Sequence, residues 1–410
     1  MGADRHGTGQ QLVNETAGLG KDRFCMTRKE NAEAFLRGNK AEFIGLYESF
    51  WPETIQNWQA QGHLTKSDPE TGAQVSISPT EYFGLDIVGT SGFIDHLPYR
   101  RVREILEETD EWYTYRNGAG AVFKLWKNHS GTPEHIDFRM TERKIWDEEY
   151  RQHLLSVDDE RLGIEGVREA IQYCKDKDAF TTTHQLCLWE TLRESAGDVA
   201  MFENLLLDPD WIHDFNRVYT DFYIAHLDRL FELTEQPQGA FLYDDLGYKN
   251  GLFCSLKVLR ELYLPYYQEI VNYFHKRNMP VIFHSCGNIE AALPFFAEMG
   301  IDALNPMEVK AGCDVVRFAE KHHGDFAFVG GLDVRVLEDG DHAAIKKETL
   351  RILNGMKAVG ARYFFGTDHS VTPNVKFEDY VYAVETYREN MNYRTAFSNQ
   401  RYADTSGCLN

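Results

Sequence analysis

From Leu162 onward the chain alternates short apolar runs with longer stretches of helical period, and this alternation limits the fold more than any other feature of the sequence. The expected strands are Ala179–Thr183, Gly239–Tyr243, Val281–His284, Ala303–Asn305, Ala327–Gly330 and Tyr363–Gly366. Helical patterns lie between and after them, over Leu259–Lys276, Ile289–Met299, Val315–Lys321, Ala343–Val359 and Phe377–Asn390. Strands that alternate with helices are parallel strands, and a parallel sheet must be covered by those helices.

A doubly wound sheet and a closed barrel both satisfy this pattern. The barrel is preferred because ligand-capable residues follow nearly every strand: His184, Asp244 and Asp245, His284 and Cys286, Asn305, Asp333, and Asp368 with His369. In a TIM barrel the C-terminal strand ends converge on one mouth, so residues far apart in sequence become neighbours. The expected fold is α/β, a (β/α)8 TIM barrel with an irregular N-terminal extension and a β-hairpin insertion. Residues 24–395 are read as one domain, with 24–150 an elaboration and 151–395 the regular repeats. Residues 1–23 and 396–410 are read as mobile ends.

Within the first half, a short helix is expected near Lys29–Arg37, an extended Glu42–Tyr47, and loop from Gly62 to Pro79. Trp112–Arg116 and Gly120–Trp126 flank Asn117-Gly118-Ala119 and read as a hairpin. Phe50, Trp51, Trp58, Tyr82 and Phe83 form an aromatic set suited either to core packing or to walling a pocket. Charge limits the partners. With 43 Lys and Arg against 64 Asp and Glu, the formal charge of −21 opposes a nucleic-acid backbone. No apolar run approaches the roughly 20 residues needed to span a bilayer, and no signal-peptide pattern is present, so a cytoplasmic protein is expected. Seven scattered cysteines read as reduced thiols, not a disulfide scaffold.

The chemistry concentrates at two strand ends. Residues i and i+2 of a strand share a face, so His284 and Cys286 can reach one point, and imidazole and thiolate together suit zinc. A core histidine beside an inert thiol is the alternative. After Tyr363–Gly366, His369 is placed to lean over the mouth as a third ligand, leaving one position open; otherwise it is a loop histidine. Asp244 and Asp245 are adjacent carboxylates at a strand end, for a ligand or a proton-transfer role, or simply solvated acids. Glu190 reaches the same cavity or serves as a first-turn acid. Cys313 is a conceivable fourth ligand but reads better as structural.

Several blocks then combine: Asp244-Asp245-Leu246-Gly247, Leu264-Pro265-Tyr266-Tyr267, His284-Ser285-Cys286-Gly287, Asp302-Ala303-Leu304-Asn305-Pro306, Gly330-Gly331-Leu332-Asp333, and the loop Gly366–Val375. Together they resemble the uroporphyrinogen decarboxylase superfamily, in its branch of corrinoid-linked methyltransferases, over most of residues 180–390. The resemblance implies a (β/α)8 barrel and a mouth zinc held by a His-x-Cys pair plus a later Cys. This sequence matches the pair and carries His369 at the later position. True decarboxylases of the family hold a polycarboxylate with an arginine-rich N-terminal segment, whereas Arg28 and Arg37 stand alone here between Phe24 and Trp58.

The expected function is therefore zinc-dependent transfer of a methyl group from a methoxylated or similar small molecule, possible aromatics included, to the corrinoid of a separate protein. No Asp-x-His-x-x-Gly corrinoid motif occurs in the chain. The expected zinc ligands are His284, Cys286 and His369, with Asp244, Asp245 and Glu190 as catalytic groups. Alternatives are a metal-independent decarboxylase or lyase of the same superfamily and a non-catalytic barrel that binds a methylated ligand. Donor, acceptor and oligomeric state, a homodimer among the options, stay open.

Overall fold

The computed structural model describes residues 24–90, 94–127 and 131–393. The expectations for residues 1–23 and for the tail from 396 lie outside that range. At the centre, eight strands form one sheet: β1 (Gly45–Leu46), β2 (Ile87–Gly89), β3 (Phe180–Leu186), β4 (Gly239–Tyr243), β5 (Val281–His284), β6 (Ala303–Asn305), β7 (Ala327–Val329) and β8 (Tyr363–Phe365). Their order is β1-β8-β7-β6-β5-β4-β3-β2, with every neighbouring pair parallel. Only the β1/β2 seam lacks a regular ladder. There the Asp86 amide donates to Leu46 O (2.9 Å) and the Leu46 amide donates to the Asp86 carboxylate (2.8 Å), so a side chain stands in for a strand hydrogen bond. The sheet is thus nearly closed, and with helices alternating between its strands it is the expected (β/α)8 barrel.

The strands are continuous apolar runs because both of their faces are covered: Ala240, Phe241, Leu242, Val281, Ile282, Phe283, Ala327 and Phe328 are all buried. Strands β4, β5 and β6 match the sequence reading residue for residue, and β7 and β8 stop one residue earlier than expected. β1, within the expected extended Glu42–Tyr47, and β2 precede residue 150, outside the regular strand–helix alternation. β3 continues past Thr183 to Leu186, which places His184 inside the strand instead of beyond it. The helical pattern over Leu259–Lys276 is two helices, Leu256–Leu262 and Leu264–Lys276, with Pro265 in the first turn of the second. The expected loop from Gly62 to Pro79 contains a small hairpin, Thr65–Ser67 with Gln74–Ser76.

The insertion is larger than a hairpin. Trp112–Asn117 and Val122–Trp126 are the middle of a four-stranded antiparallel sheet completed by Arg103–Glu108 and Glu134–Asp137. The outer strands were not legible because most of their side chains are exposed and carry little apolar alternation. The insertion rests on helix Leu188–Leu207, which leaves β3 toward the mouth. Asn117 donates to Glu194 of that helix (3.3 Å). Phe138 occupies the space where a Cβ on Gly197 would sit, 2.4 Å away, at the point where φ of +78° breaks the helix.

Candidate metal centre

Strand register assembles the centre. Tyr243 of β4, His284 of β5 and Asn305 of β6 are lateral partners across three neighbouring strands. The Asn305 amide nitrogen donates to Val329 O (2.9 Å), which fixes the amide so that its oxygen faces His284 Nδ1 at 2.6 Å. Nδ1 therefore carries the proton, and Nε2 presents its lone pair away from Asn305. Cys286 Sγ lies 3.3 Å from that Nε2, and Asp245 Oδ1 lies 3.7 Å from it. Ligand atoms of Asp245, His284 and Cys286 all fall within 4.8 Å of one another, the one such group of three among the described residues.

Two glycines let these loops meet. Gly287 has φ of +82°, and a Cβ there would stand 2.2 Å from Gly247 C; a Cβ on Gly247 would stand 2.8 Å from Cys286 O. Bare backbones in contact bring the loop after β4 against the loop after β5, and the Cys286 amide then donates to Asp245 Oδ1 (2.8 Å). Glu308, after β6, accepts from the Gly287 amide (2.7 Å) and secures the same turn.

The electrostatics fit a cation. Burial holds the His284 imidazole below its ordinary pKa, which keeps it neutral and able to donate its lone pair. Burial, with the Asp245 and Glu308 carboxylates nearby, pushes the Cys286 thiol well up. A thiol in that setting ionises only when a positive charge joins it, and a nitrogen, a sulfur and an oxygen converging on one point are the donor set of a zinc-type ion.

The adjacent carboxylates have separate fates. Asp244 is buried and accepts from the Trp189 amide (2.9 Å), the Glu190 amide (2.5 Å) and the Tyr267 hydroxyl (2.6 Å). From the end of the neighbouring strand it holds the first turn of helix Leu188–Leu207. Burial raises its pKa to about 7. Asp245 is the residue that joins His284 and Cys286. Glu190 stands in the first helical turn and accepts from the Arg193 guanidinium at 3.1 Å, and burial raises its carboxyl to about 8.

His369 is placed elsewhere. The Thr367 hydroxyl bonds to both Glu48 and His369 O, and Asp368 accepts from the Val309 (2.7 Å) and Val334 (2.9 Å) amides. The loop so pinned turns the His369 ring toward Trp51, with centroids 6.3 Å apart and planes 17° from parallel. His369 is not in the three-residue group; it lines an adjoining cleft of about 590 Å³ with Trp51, Lys310, Asp333, Arg335 and Asp368. Cys313 is buried and donates to Gly287 O at 3.4 Å, a structural role. His184, inside β3, faces the Tyr243 hydroxyl with Nδ1 at 3.0 Å. Glu308 and the clamping role of Asp244 escaped the sequence reading, because both depend on which loops touch.

Comparisons with known proteins follow this geometry. The family described as uroporphyrinogen decarboxylase (URO-D) matches residues 192–390, which include β4 to β8 and all three clustered residues. No curated protein matches the chain. A solved methyltransferase from Methanosarcina mazei superposes with a TM-score of 0.64 at 17% identity, covering 89% of this chain and 99% of that one, a likeness of fold. Malate synthase of Haloferax volcanii reaches a TM-score of only 0.26 at 12% identity, over 66% of this chain and 62% of its own, which is too partial to bear on the site. No described helix is long and apolar enough to cross a membrane. Over residues 192–390, just under half of the chain, the sequence is similar to the uroporphyrinogen decarboxylase family, and the barrel is shared with the Methanosarcina mazei methyltransferase.

Proposed function

We propose that the chain is a zinc-dependent methyltransferase that takes a methyl group from a methoxylated or similar small molecule and delivers it to a corrinoid carried by a separate protein. The observation that carries this reading is the convergence of Asp245, His284 and Cys286 at the mouth of a barrel whose sequence is similar to that family. The fold shared with a protein described as a methyltransferase supports it. Asp245 takes the third position that the sequence reading gave to His369.

Asp245, His284 and Cys286 would hold the zinc, which would supply Lewis acidity toward the donor oxygen and so make its methyl carbon electrophilic and the oxygen a better leaving group. Asn305 orients His284, and the Asp245–Cys286 amide contact fixes the sulfur beside it. The C–O bond would break with its electron pair left on oxygen, and the Co(I) corrinoid of the separate protein, as acceptor, would supply the electron pair of the new bond to the methyl carbon. Glu190, still protonated at neutral pH because its burial raises it to about 8, is the group that returns a proton to that oxygen. Asp244 holds Glu190 in place through its backbone amide.

Metal analysis of the purified chain, paired with single-turnover methyl transfer to a Co(I) corrinoid protein, tests the scheme. The expected result is about one zinc per chain, with Cys286→Ala losing the metal and roughly 10³-fold or more of the rate. Full activity after a chelator has removed the metal sinks the reading in favour of metal-independent chemistry.

A further inference from the structure

The cleft beside the cluster has a definite chemical character. At about 590 Å³ it is the size of a small-molecule pocket. Its aromatic wall separates from the rest of the aromatic set. Phe50, Trp58, Phe83 and Tyr380 pack on one another, with Phe50 edge-on to Trp58 at 5.6 Å and to Tyr380 at 5.3 Å. Trp51, next in sequence to Phe50, turns away from them and lies beside the His369 ring on the wall of the cleft. Lys310 on the cleft wall is paired with Glu308, whose carboxylate holds the Gly287 amide next to Cys286, so the cleft adjoins the cluster.

The charges of the cleft are committed. The Lys310 ammonium lies 3.3 Å from Glu308, and the Arg335 guanidinium grips Asp333 with two hydrogen bonds of 2.8 and 2.7 Å. Glu53 and Asp368, which also line the space, form no ion pair among the described residues. An incoming carboxylate would meet two neutralised cations and two acids without a cationic partner, and would have to break an existing pair to be held. A flat ring without negative charge meets no such cost and gains the faces of Trp51 and His369.

We infer that this cleft seats the planar aromatic body of the methyl donor and selects an uncharged or cationic ring over a carboxylate-bearing one. The inference rests on the methyltransferase reading for the ligand's role as donor. The ring lies against Trp51 and His369 while its methoxy group reaches toward Asp245, His284 and Cys286. Selectivity comes from the Arg335–Asp333 pair, which withholds the one guanidinium able to take a carboxylate with two hydrogen bonds.

Calorimetric titration of the full-length protein with 2-methoxyphenol and with 4-hydroxy-3-methoxybenzoate at pH 7 tests this, since the two share the methoxyphenol ring and differ by a carboxylate. The phenol is expected to bind at least tenfold more tightly. Trp51→Ala should weaken it about tenfold, and Trp51→Phe should recover most of the loss. Asp333→Asn frees Arg335 and should tighten binding of the benzoate several-fold, a gain that misfolding does not produce. Equal or tighter binding of the benzoate by the unaltered protein, or indifference to Trp51→Ala, overturns the inference. Trp51-dependent binding of the phenol without methyl release to a Co(I) corrinoid protein sinks the methyltransferase reading and leaves the ring site standing. Methyl release from the phenol at unchanged KM in Trp51→Ala does the reverse.

Discussion

The loops that leave β4 and β8 are built alike. Each holds a buried aspartate that accepts two backbone amides from the starts of neighbouring helical segments: Asp244 from Trp189 and Glu190, Asp368 from Val309 and Val334. Each then displays a second ligand-capable residue, Asp245 in one and His369 in the other. The first displayed residue meets His284 and Cys286, whereas the second turns to Trp51 and the cleft. The difference lies in the partners of each loop. Gly247 and Gly287 let the β4 and β5 loops touch, while the Thr367 hydroxyl, bound to Glu48 and to His369 O, ties the β8 loop toward β1. Similar local sequence thus serves a common clamp and two distinct ends.

The clamp half of this comparison breaks most visibly under Asp244→Ala. It leaves two amides and the Tyr267 hydroxyl without their buried acceptor, and a loss of about 3 kcal/mol is expected by chemical denaturation. Asp368→Ala removes two such bonds and should cost somewhat less, about 2 kcal/mol. Equal stability of both variants and the parent would mean that the aspartates are not clamps.

Asp86 tests the same device far from the cluster, at the β1/β2 seam. Burial raises its carboxyl from 3.8 to about 7, so the folded chain holds this proton more tightly than the unfolded chain does. Its contribution is fully present below pH 4 and is lost as pH rises through about 7. Asp86→Asn cannot titrate. The stability of the parent should therefore fall relative to that variant between pH 4 and 7, by an amount on the order of 2–4 kcal/mol. A flat difference across that window would show that the seam does not depend on a protonated acid.

The displayed residues should behave in the opposite way. Asp245→Ala is expected to change stability by less than about 1 kcal/mol while weakening zinc roughly 100-fold, read by competition with a chromophoric chelator. His369→Ala should leave zinc affinity within about twofold, the smallest effect of the series. Loss of zinc from His369→Ala with retention in Asp245→Ala would reverse the ligand assignment and restore the order suggested by the sequence.

Periodicity found β4 to β8 because those strands are apolar on both faces and alternate regularly with helices. The extended Glu42–Tyr47 contained β1 without showing its place in the barrel, and β2 and the exposed outer strands of the insertion were missed. His284 and Cys286 were legible from i, i+2 spacing alone, since that spacing survives in any strand. Asp245 was visible as a candidate but not as the residue that joins them, and Trp51 could not be told from Phe50 and Trp58.

Local sequence by itself determined the β/α alternation, the strand-end placement of the polar residues and the His-x-Cys pair, because each follows from backbone geometry within a few bonds. Tertiary structure alone decided which of two neighbouring aspartates is a clamp, that Asp245 and not His369 stands with the pair, and that one tryptophan leaves the core for a cleft. Those outcomes depend on which loops can approach, and approach is set by missing Cβ atoms at Gly247 and Gly287 and by hydrogen bonds between residues more than 300 positions apart, such as Glu48 with Thr367.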